Sequence, residues 1–268
     1  MATRPDYSGR FSPPDWPSIA LVLGGLLVAY YLLPLVSLLL SASPGTVAGR
    51  LADPVVRSAA VTSLVAATVT TVIATAFGLP LAYWLARADT PWTSVVLAIV
   101  VLPMVLPPTV AGVVLLTVFG PNSPVGEAAA SAGVPLTGSL AGVVLAQTFV
   151  ASPFVVVTAK AAFESVDRAL EEAARSLGQG RWATARRVTI PLAAPGILAG
   201  VTLAFARSIG EFGATTMVAY YPRTLPVEIW VSFVSLGLDS AYPVAIILVV
   251  IAVLALLVLT TVASNPWE

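Results

Sequence analysis

Charged side chains are absent from six long stretches of this 268-residue chain, and that pattern limits what the chain can fold into. A helix that crosses a bilayer needs about 20 consecutive, mostly apolar residues. Each stretch is long enough to supply about one such helix, so we predict an all-α integral membrane protein with six transmembrane helices. The predicted spans lie near residues 18–40, 59–86, 93–119, 139–162, 191–214 and 242–263.

The composition agrees with a membrane protein and removes several classes of function. Hydrophobic residues make up 58% of the chain and charged residues only 10%, which is unlike a soluble domain. The net charge is zero, so no basic surface is predicted for binding nucleic acid. The chain has no His and no Cys, which excludes imidazole or thiolate metal sites, disulfides and His-based catalysis. We therefore expect no metal site and no catalytic residue.

The single lysine argues against ATP binding by this chain. Lys160 follows the residues PFVVVTA, which are not the glycine-rich loop that cradles phosphates in an ATPase. The chain is therefore expected to hold no cofactor, and any nucleotide energy must come from a partner.

The amino-terminal region sets the predicted orientation. Residues 1–17 are predicted to form a tail, and the apolar stretch that follows is too long for the core of a cleaved signal peptide, so the helix 18–40 should be retained. With the amino terminus inside, nine basic residues fall on cytoplasmic segments and three on outer segments. This bias predicts a multi-pass protein of the cell membrane with both termini in the cytoplasm.

A polar loop, residues 164–190, interrupts the apolar sequence on the predicted cytoplasmic side. It holds four of the 13 acidic residues and five of the 13 basic ones. Leu170, Ala173, Ala174 and Leu177 recur with the spacing of one face of an α-helix. The two alanines make this face shallow, so that another backbone can approach closely. The pattern alone leaves open whether this face packs on its own protein or on a partner.

The ends of this helix carry capping signals. Asp167 is the predicted N-cap residue, and Gly178 is predicted to turn left-handed after the last helical turn. A second short helix is predicted over residues 181–189, and it should stop at Pro191.

The same loop resembles the EAA motif of ABC importer permeases, in which the residues Glu-Ala-Ala are followed at fixed spacings by Gly and by Ile-x-Leu-Pro. The matching residues are Glu172, Ala173, Ala174, Gly178, Val188, Ile190 and Pro191. Val188 and Ile190 are conservative departures from the usual Ile and Leu. In that family the loop is a coupling helix that docks on an ATP-hydrolysing subunit. The resemblance implies that the coupling residues are Leu170, Glu172, Ala173, Ala174, Leu177 and Gly178.

Prolines are concentrated in the predicted third span, where Pro103, Pro107 and Pro108 occur within six residues. Each proline removes a backbone donor, so this helix must kink or break. In lipid the freed carbonyls need partners, which places a broken segment against protein or a water-filled path. A structural kink and a role of Pro107 and Pro108 in the path both remain open. The run LPPTVAG resembles molybdate-type permeases.

The predicted fifth span carries two charged residues, Arg207 and Glu211, with Gly210 and Gly213 beside them. They are i,i+4 neighbours, so one interpretation is that they neutralise each other as an ion pair. The other is that Arg207 attracts an oxyanion while Glu211 and its flanking glycines shape an outer gate. The run GEFGAT resembles molybdate/tungstate permeases, and sulfate permeases have a similar element.

Residues 215–241 are predicted to form an outer interfacial or re-entrant segment, which is either a membrane anchor or a docking surface for a binding protein.

Taken over residues 58–265, the resemblance implies the transmembrane domain of a type-I ABC importer permease. It further implies a second copy of the chain in the bilayer, an ATPase subunit that holds ATP and Mg, and an external substrate-binding protein. The implied substrate is molybdate or tungstate, with sulfate or thiosulfate as the alternative. An ion-driven secondary transporter is the alternative of another class, but Glu211 is its only candidate carboxylate and no repeat is visible. Composition alone does not exclude a receptor or a scaffold.

Overall fold

The computed structural model of the chain describes residues 16–264, and the chain divides into two units between Ser43 and Pro44. The first unit contains one helix, α1 (Trp16–Leu40), which is apolar and long enough to cross a membrane. The predicted tail, residues 1–17, lies almost entirely outside the described residues.

The second unit is helical, and its described part contains no β-strand. Its helices up to the polar loop are α2 (Pro44–Ala52), α3 (Pro54–Arg87), α4 (Trp92–Val105), α5 (Pro108–Phe119), α6 (Pro124–Ser131) and α7 (Leu140–Glu164). From the polar loop onward they are α8 (Arg168–Ser176), α9 (Arg181–Thr184), a π-helical segment (Ala185–Thr189), α10 (Ile190–Ile209), α11 (Gly213–Val218), α12 (Leu225–Leu236) and α13 (Leu238–Ser264).

The apolar helices follow the six predicted spans, but the third span is divided. Within residues 16–264, five helical segments can each cross a membrane by length and composition: α1, α3, α7, the continuous run from α9 through α10, and α13. The predicted third span is a pair of shorter helices, α4 and α5, whose axes are bent by 118°. Six spans are present if this bent pair counts as one.

The break between α4 and α5 follows from its prolines, as the sequence predicts. Leu106 is extended, with φ −68° and ψ 136°, because the ring of a following proline disfavours the α region. Pro107 is also outside the helical region, with ψ 135°. Helix α5 then begins at Pro108, where a missing N–H costs no helical hydrogen bond. Pro103 lies inside α4 and does not break it.

Helix α7 packs against both α3 and α10, and small residues allow the close approach. The buried stripe that α3 provides has a small residue every four positions: Ala66, Thr70, Ala74, Gly78, Ala82 and Ala86. A Cβ atom on Gly78 would lie only 3.2 Å from Cγ2 of Val156, and one on Gly200 would lie 3.1 Å from Cβ of Thr158. Larger side chains at these positions would force the helices apart.

The polar loop runs into the fifth span differently from the prediction. The predicted stop at Pro191 is wrong, because the short helix α9 continues through the π-helical segment into α10 without interruption. Pro191 falls in the first turn of α10, a position that tolerates proline. The N–H of Ile190 bonds to the carbonyl of Ala185, five residues back, which is the π-helical pattern.

The far end of the fifth span also differs. The helix ends at Ile209 and not at 214 as predicted. Gly210 favours a break, and the carboxylate of Glu211 accepts the backbone N–H of Ala214 at 2.8 Å, so that a new helix, α11, starts here. The outer segment predicted over 215–241 contains the end of α11, the helix α12 and the first turn of α13. At 12 residues, α12 is too short to span a membrane.

Candidate functional sites: the polar loop and the broken span

Helix α8 forms the centre of the polar loop, and both of its predicted ends are confirmed. The Asp167 carboxylate accepts the N–H of Ala169 at 2.9 Å, as an N-cap does. Gly178 has φ +85°, the left-handed conformation that glycine adopts at little cost. The N–H of Gln179 donates to the carbonyl of Ala174 at 3.1 Å, which closes the last turn.

The apolar face of α8 does not pack on its own protein. Leu170 is 49% exposed and Leu177 is 84% exposed, and Ala173 is exposed while Ala174 is partly buried. Trp182, in the next short helix, is 76% exposed. An exposed leucine–alanine face beside an exposed tryptophan is typical of a surface that another protein covers.

The one buried residue of α8 is a glutamate, Glu171. Its carboxylate accepts hydrogen bonds from two nitrogens of Arg87 at the end of α3. Nη2 donates to Oε1 at 2.7 Å, and Nε donates to Oε1 at 3.0 Å and to Oε2 at 3.3 Å. The Thr189 hydroxyl, in the π-helical segment, donates to the same Oε1 at 2.8 Å. The Arg87 Nη2 also donates to the carbonyl of Val166 at 3.3 Å. These contacts join α8 to the ends of two predicted spans.

The electrostatics of this cluster keep Glu171 ionised. Burial raises the pKa of the Glu171 carboxyl, but the hydrogen bonds from Arg87 and Thr189 and the charges of Arg87 and Arg175 outweigh it and hold the pKa below its ordinary value of 4.5. The carboxylate is therefore charged at neutral pH and binds the guanidinium as an ion pair.

Glu172, the glutamate of the motif, is placed differently from its neighbour. Both glutamates line a cavity of about 430 Å³ together with Arg168, Arg175 and Arg181, but Glu172 is exposed. Three arginine side chains near an exposed carboxylate make this end of the loop strongly polar, in contrast to the leucine–alanine face.

The broken span and the glycine-rich run after α10 lie in contact with each other. A Cβ atom on Gly213 would lie 2.6 Å from Cβ of Pro108. One turn further on, a Cβ atom on Gly112 would lie 2.6 Å from Cβ of Met217. Helices α5 and α11 therefore meet through glycine at both points, and the two elements that the sequence singled out separately form one structure.

Arg207 and Glu211 form an ion pair, which is the structural alternative that the sequence left open. The Glu211 side chain is 1% exposed, whereas the Arg207 side chain is 28% exposed. Burial of a carboxylate this deeply is costly unless a positive group pairs with it. The role of Arg207, Glu211, Gly210 and Gly213 in a path or gate stays a prediction.

A second ion pair lies in the outer segment. Arg223 Nη1 donates to Oε2 of Glu228 at 3.0 Å, and the N–H of Leu225 donates to Oγ of Ser63 in α3 at 2.8 Å. These contacts fix the start of α12. The aromatic residues Trp230 and Phe233 are about half exposed, at 48% and 44%, so the anchor and docking alternatives both remain.

Sequence reasoning missed the Glu171 cluster, because no local pattern distinguishes Glu171 from Glu172. Arg87 lies 84 residues earlier and Thr189 lies 18 residues later. The sequence offered one weak signal: Glu171 lies directly beside the apolar stripe of α8, and a residue at the edge of such a stripe can also face the protein.

The chain belongs to a family of transport proteins. Residues 78–265 match the family described as binding-protein-dependent transport system inner membrane component.

Solved structures with the same fold agree with this family. One is a chain of a bacterial ABC transporter involved in the import of the acidic polysaccharide alginate. It superimposes with a TM-score of 0.75 at 17% sequence identity, covering 95% of this chain and 97% of that one. A chain of the MetNI methionine ABC transporter gives 0.63 at 19% identity, covering 77% of this chain and 94% of that one. The fold is that of a type-I ABC importer permease.

Relatives with higher identity are permeases named for molybdenum transport. A probable molybdenum ABC transporter permease protein of Haloferax volcanii is 58% identical over 97% of this chain and 95% of its own length. The molybdate/tungstate transport system permease protein WtpB of Thermococcus kodakarensis is 39% identical over 85% of this chain and 87% of its own. The molybdenum transport system permease protein ModB of Mycobacterium bovis is 36% identical over 94% and 95%.

We predict that Gly213→Ala lowers the melting temperature of the purified protein in detergent. The new methyl group would lie 2.6 Å from Cβ of Pro108, and overpacking of this kind typically costs about 1–3 kcal/mol. Gly210→Ala is the matched control, because a Cβ atom there meets only the Ala206 carbonyl oxygen at 3.6 Å. Equal melting temperatures for Gly213→Ala and Gly210→Ala would contradict the close contact between α5 and α11.

We also predict that the contribution of Glu171 to stability depends on pH. Because its pKa is lowered in the folded state, the ionised carboxylate stabilises the fold above the ordinary glutamate pKa of 4.5, and this stabilisation is lost as the pH falls through the lowered value. The melting temperature of Glu171→Gln should therefore lie below that of the parent at pH 7, and the gap should shrink under acid conditions. Glu172→Gln, at the exposed neighbouring position, should change the melting temperature little at pH 7. A gap for Glu171→Gln that widens with acid would overturn the assignment.

Proposed function

We propose that this chain is the membrane subunit of an ATP-driven importer for molybdate or tungstate. The observation that carries the proposal is the 58% identity, over nearly the whole of both chains, to the probable molybdenum permease of Haloferax volcanii. The 39% identity to a molybdate/tungstate permease supports the same substrate class. Sulfate or thiosulfate is the competing substrate, since the Gly-Glu-aromatic-Gly run also resembles sulfate permeases.

We propose three partners for this chain. An ATP-binding cassette subunit would cover α8, where Leu170, Leu177 and Trp182 are exposed. The proposed coupling residues remain Leu170, Glu172, Ala173, Ala174, Leu177 and Gly178. An external binding protein would deliver the anion, in line with the alginate transporter, whose structure includes a periplasmic protein carrying an alginate pentasaccharide. A second copy of this chain would complete the membrane part, because one chain carries a single coupling loop.

The proposed orientation places α8 and both termini in the cytoplasm. With the bent α4–α5 pair counted as one span, four spans (α1, α3, the pair and α7) separate the amino terminus from the polar loop, and an even number returns the chain to the same side. The basic residues are nine to three in favour of that side being cytoplasmic.

The proposed division of labour leaves no covalent chemistry to this chain. ATP and Mg would bind the partner subunit, which would supply the phosphate-binding loop. Closure of the ATPase pair would move the two α8 helices together and open the path outward, and hydrolysis would return it. The permease is then a two-state element that the ATPase biases.

The test is uptake by sealed vesicles that contain the permease, the ATPase subunit and the loaded binding protein. We expect molybdate uptake that requires ATP and the ATPase subunit, that tungstate inhibits and that sulfate inhibits weakly. In the same vesicles Ala174→Cys should cross-link to a cysteine on the ATPase. Equal inhibition by sulfate would favour the sulfate permease, and uptake that needs only an ion gradient would favour a secondary transporter. Transport without any cross-link would refute coupling through α8.

To test whether Arg207 attracts the anion, a variant is needed that removes its charge without leaving an unpaired charge in the buried site. Removing Arg207 alone would leave the Glu211 carboxylate buried without a partner, which is strongly destabilising. In the double variant Arg207→Gln/Glu211→Gln both charges disappear, and we expect slower molybdate uptake with an unchanged amount of folded permease. The matched control is Arg223→Gln/Glu228→Gln, because that arginine is exposed to the same 28% and pairs with a buried glutamate. Equal uptake by both double variants would remove the anion role of Arg207.

A further inference from the structure

We propose that Glu171 is a positioning residue for energy coupling, which binds α8 to the ends of α3 and α10 so that the three segments move as one body. This inference rests on the proposed function, and it concerns a residue outside the surface that would contact the ATPase. It starts from the fact that the only buried side chain of α8 is charged.

Helix α8 has few other means of attachment. It is nine residues long, and its one leucine, Leu170, faces outward, so no buried apolar side chain of its own anchors it. Short loops precede and follow it, at residues 165–167 and 177–180. A displacement applied to the exposed face of such a helix would be absorbed by these loops unless another contact linked α8 to the spans.

Glu171 supplies that link through two partners. Arg87, the last residue of α3, binds its carboxylate through both Nε and Nη2 and reaches the carbonyl of Val166 in the preceding loop. Thr189, the last residue before α10, donates to the same carboxylate oxygen. A fork of two guanidinium donors fixes direction as well as distance, so α8 is held in one orientation relative to both spans.

The other ion pair between α8 and the end of α3 cannot replace it. Arg168 and Asp89 lie 3.6 Å apart, with side chains that are 55% and 85% exposed, and exposed pairs of this kind contribute little. In the Arg87–Glu171 pair the side chains are 13% and 7% exposed. The buried pair is therefore the one whose loss would release the helix.

The spans that Glu171 holds lead to the proposed path. Helices α3 and α10 pack on each other and on α7, and α10 ends at the Arg207–Glu211 pair beside α11. Through Gly213, α11 contacts Pro108 at the start of the broken span. A rigid connection at Glu171 thus has a continuous chain of packed helices between it and the predicted gate.

The experiment measures anion uptake per ATP hydrolysed in the complete transporter, together with the amount of ATPase that co-purifies. In Glu171→Gln we expect the ratio of uptake to hydrolysis to fall about fivefold or more, the usual scale of coupling between sites, with ATPase co-purifying as in the parent. Thr189→Val, which removes only the hydroxyl donor, should lower the ratio less. Asp89→Asn is the matched control on the exposed pair and should leave the ratio unchanged.

Each outcome decides the inference. An unchanged ratio in Glu171→Gln overturns it, and so does a loss of uptake that merely follows a loss of bound ATPase, since Glu171 would then serve docking. If Glu171→Gln does not accumulate in the membrane, the ratio in Thr189→Val decides in its place. Absence of ATP-dependent uptake in the parent transporter would refute the proposed function itself, so the two failures are distinguishable.

Discussion

The close approach of α3, α7 and α10 is the constraint on which the rest of the structure depends. Lipid tails are as apolar as leucine, so burial of apolar surface drives helix association weakly in a membrane, and close contact between helices must supply the stability. The small residues of α3, spaced every four positions, and the glycines Gly78 and Gly200 allow that contact. The hydrogen bond from the Thr70 hydroxyl to Oε1 of Gln147, at 3.1 Å, crosses the interface between α3 and α7.

The candidate sites of this chain lie where the helices are interrupted. The breaks at Pro107–Pro108 and at Gly210–Phe212 are brought together by the contact between α5 and α11. At the other break the polar loop exposes Leu170, Leu177 and Trp182 and buries a glutamate. Backbone that leaves the helix inside a membrane needs protein or water as a partner, and the contact of one break with the other supplies protein.

The sequence predicted the elements better than it predicted their connections. Asp167 and Gly178 mark the ends of α8 because capping depends on residues within one turn, and the proline break is equally local. The prediction that the second short helix stops at Pro191 was wrong. A proline is tolerated in the first turn of a helix, and here the π-helical segment before it carries the helix on without interruption. Glu171 was invisible for another reason: its partners lie 84 residues before it and 18 residues after it.

The sequence by itself determined that this is a multi-span helical membrane protein, that the third apolar segment is broken, and that the polar loop belongs to an importer permease. Those conclusions rest on hydropathy, backbone chemistry and a motif, which are properties of neighbouring residues. Only the tertiary structure decided that Glu171, and not Glu172, is buried against Arg87, that the leucine face of α8 is exposed, and that Gly213 meets Pro108. Which side of a short helix faces the protein depends on where distant spans end, and no local pattern carries that information.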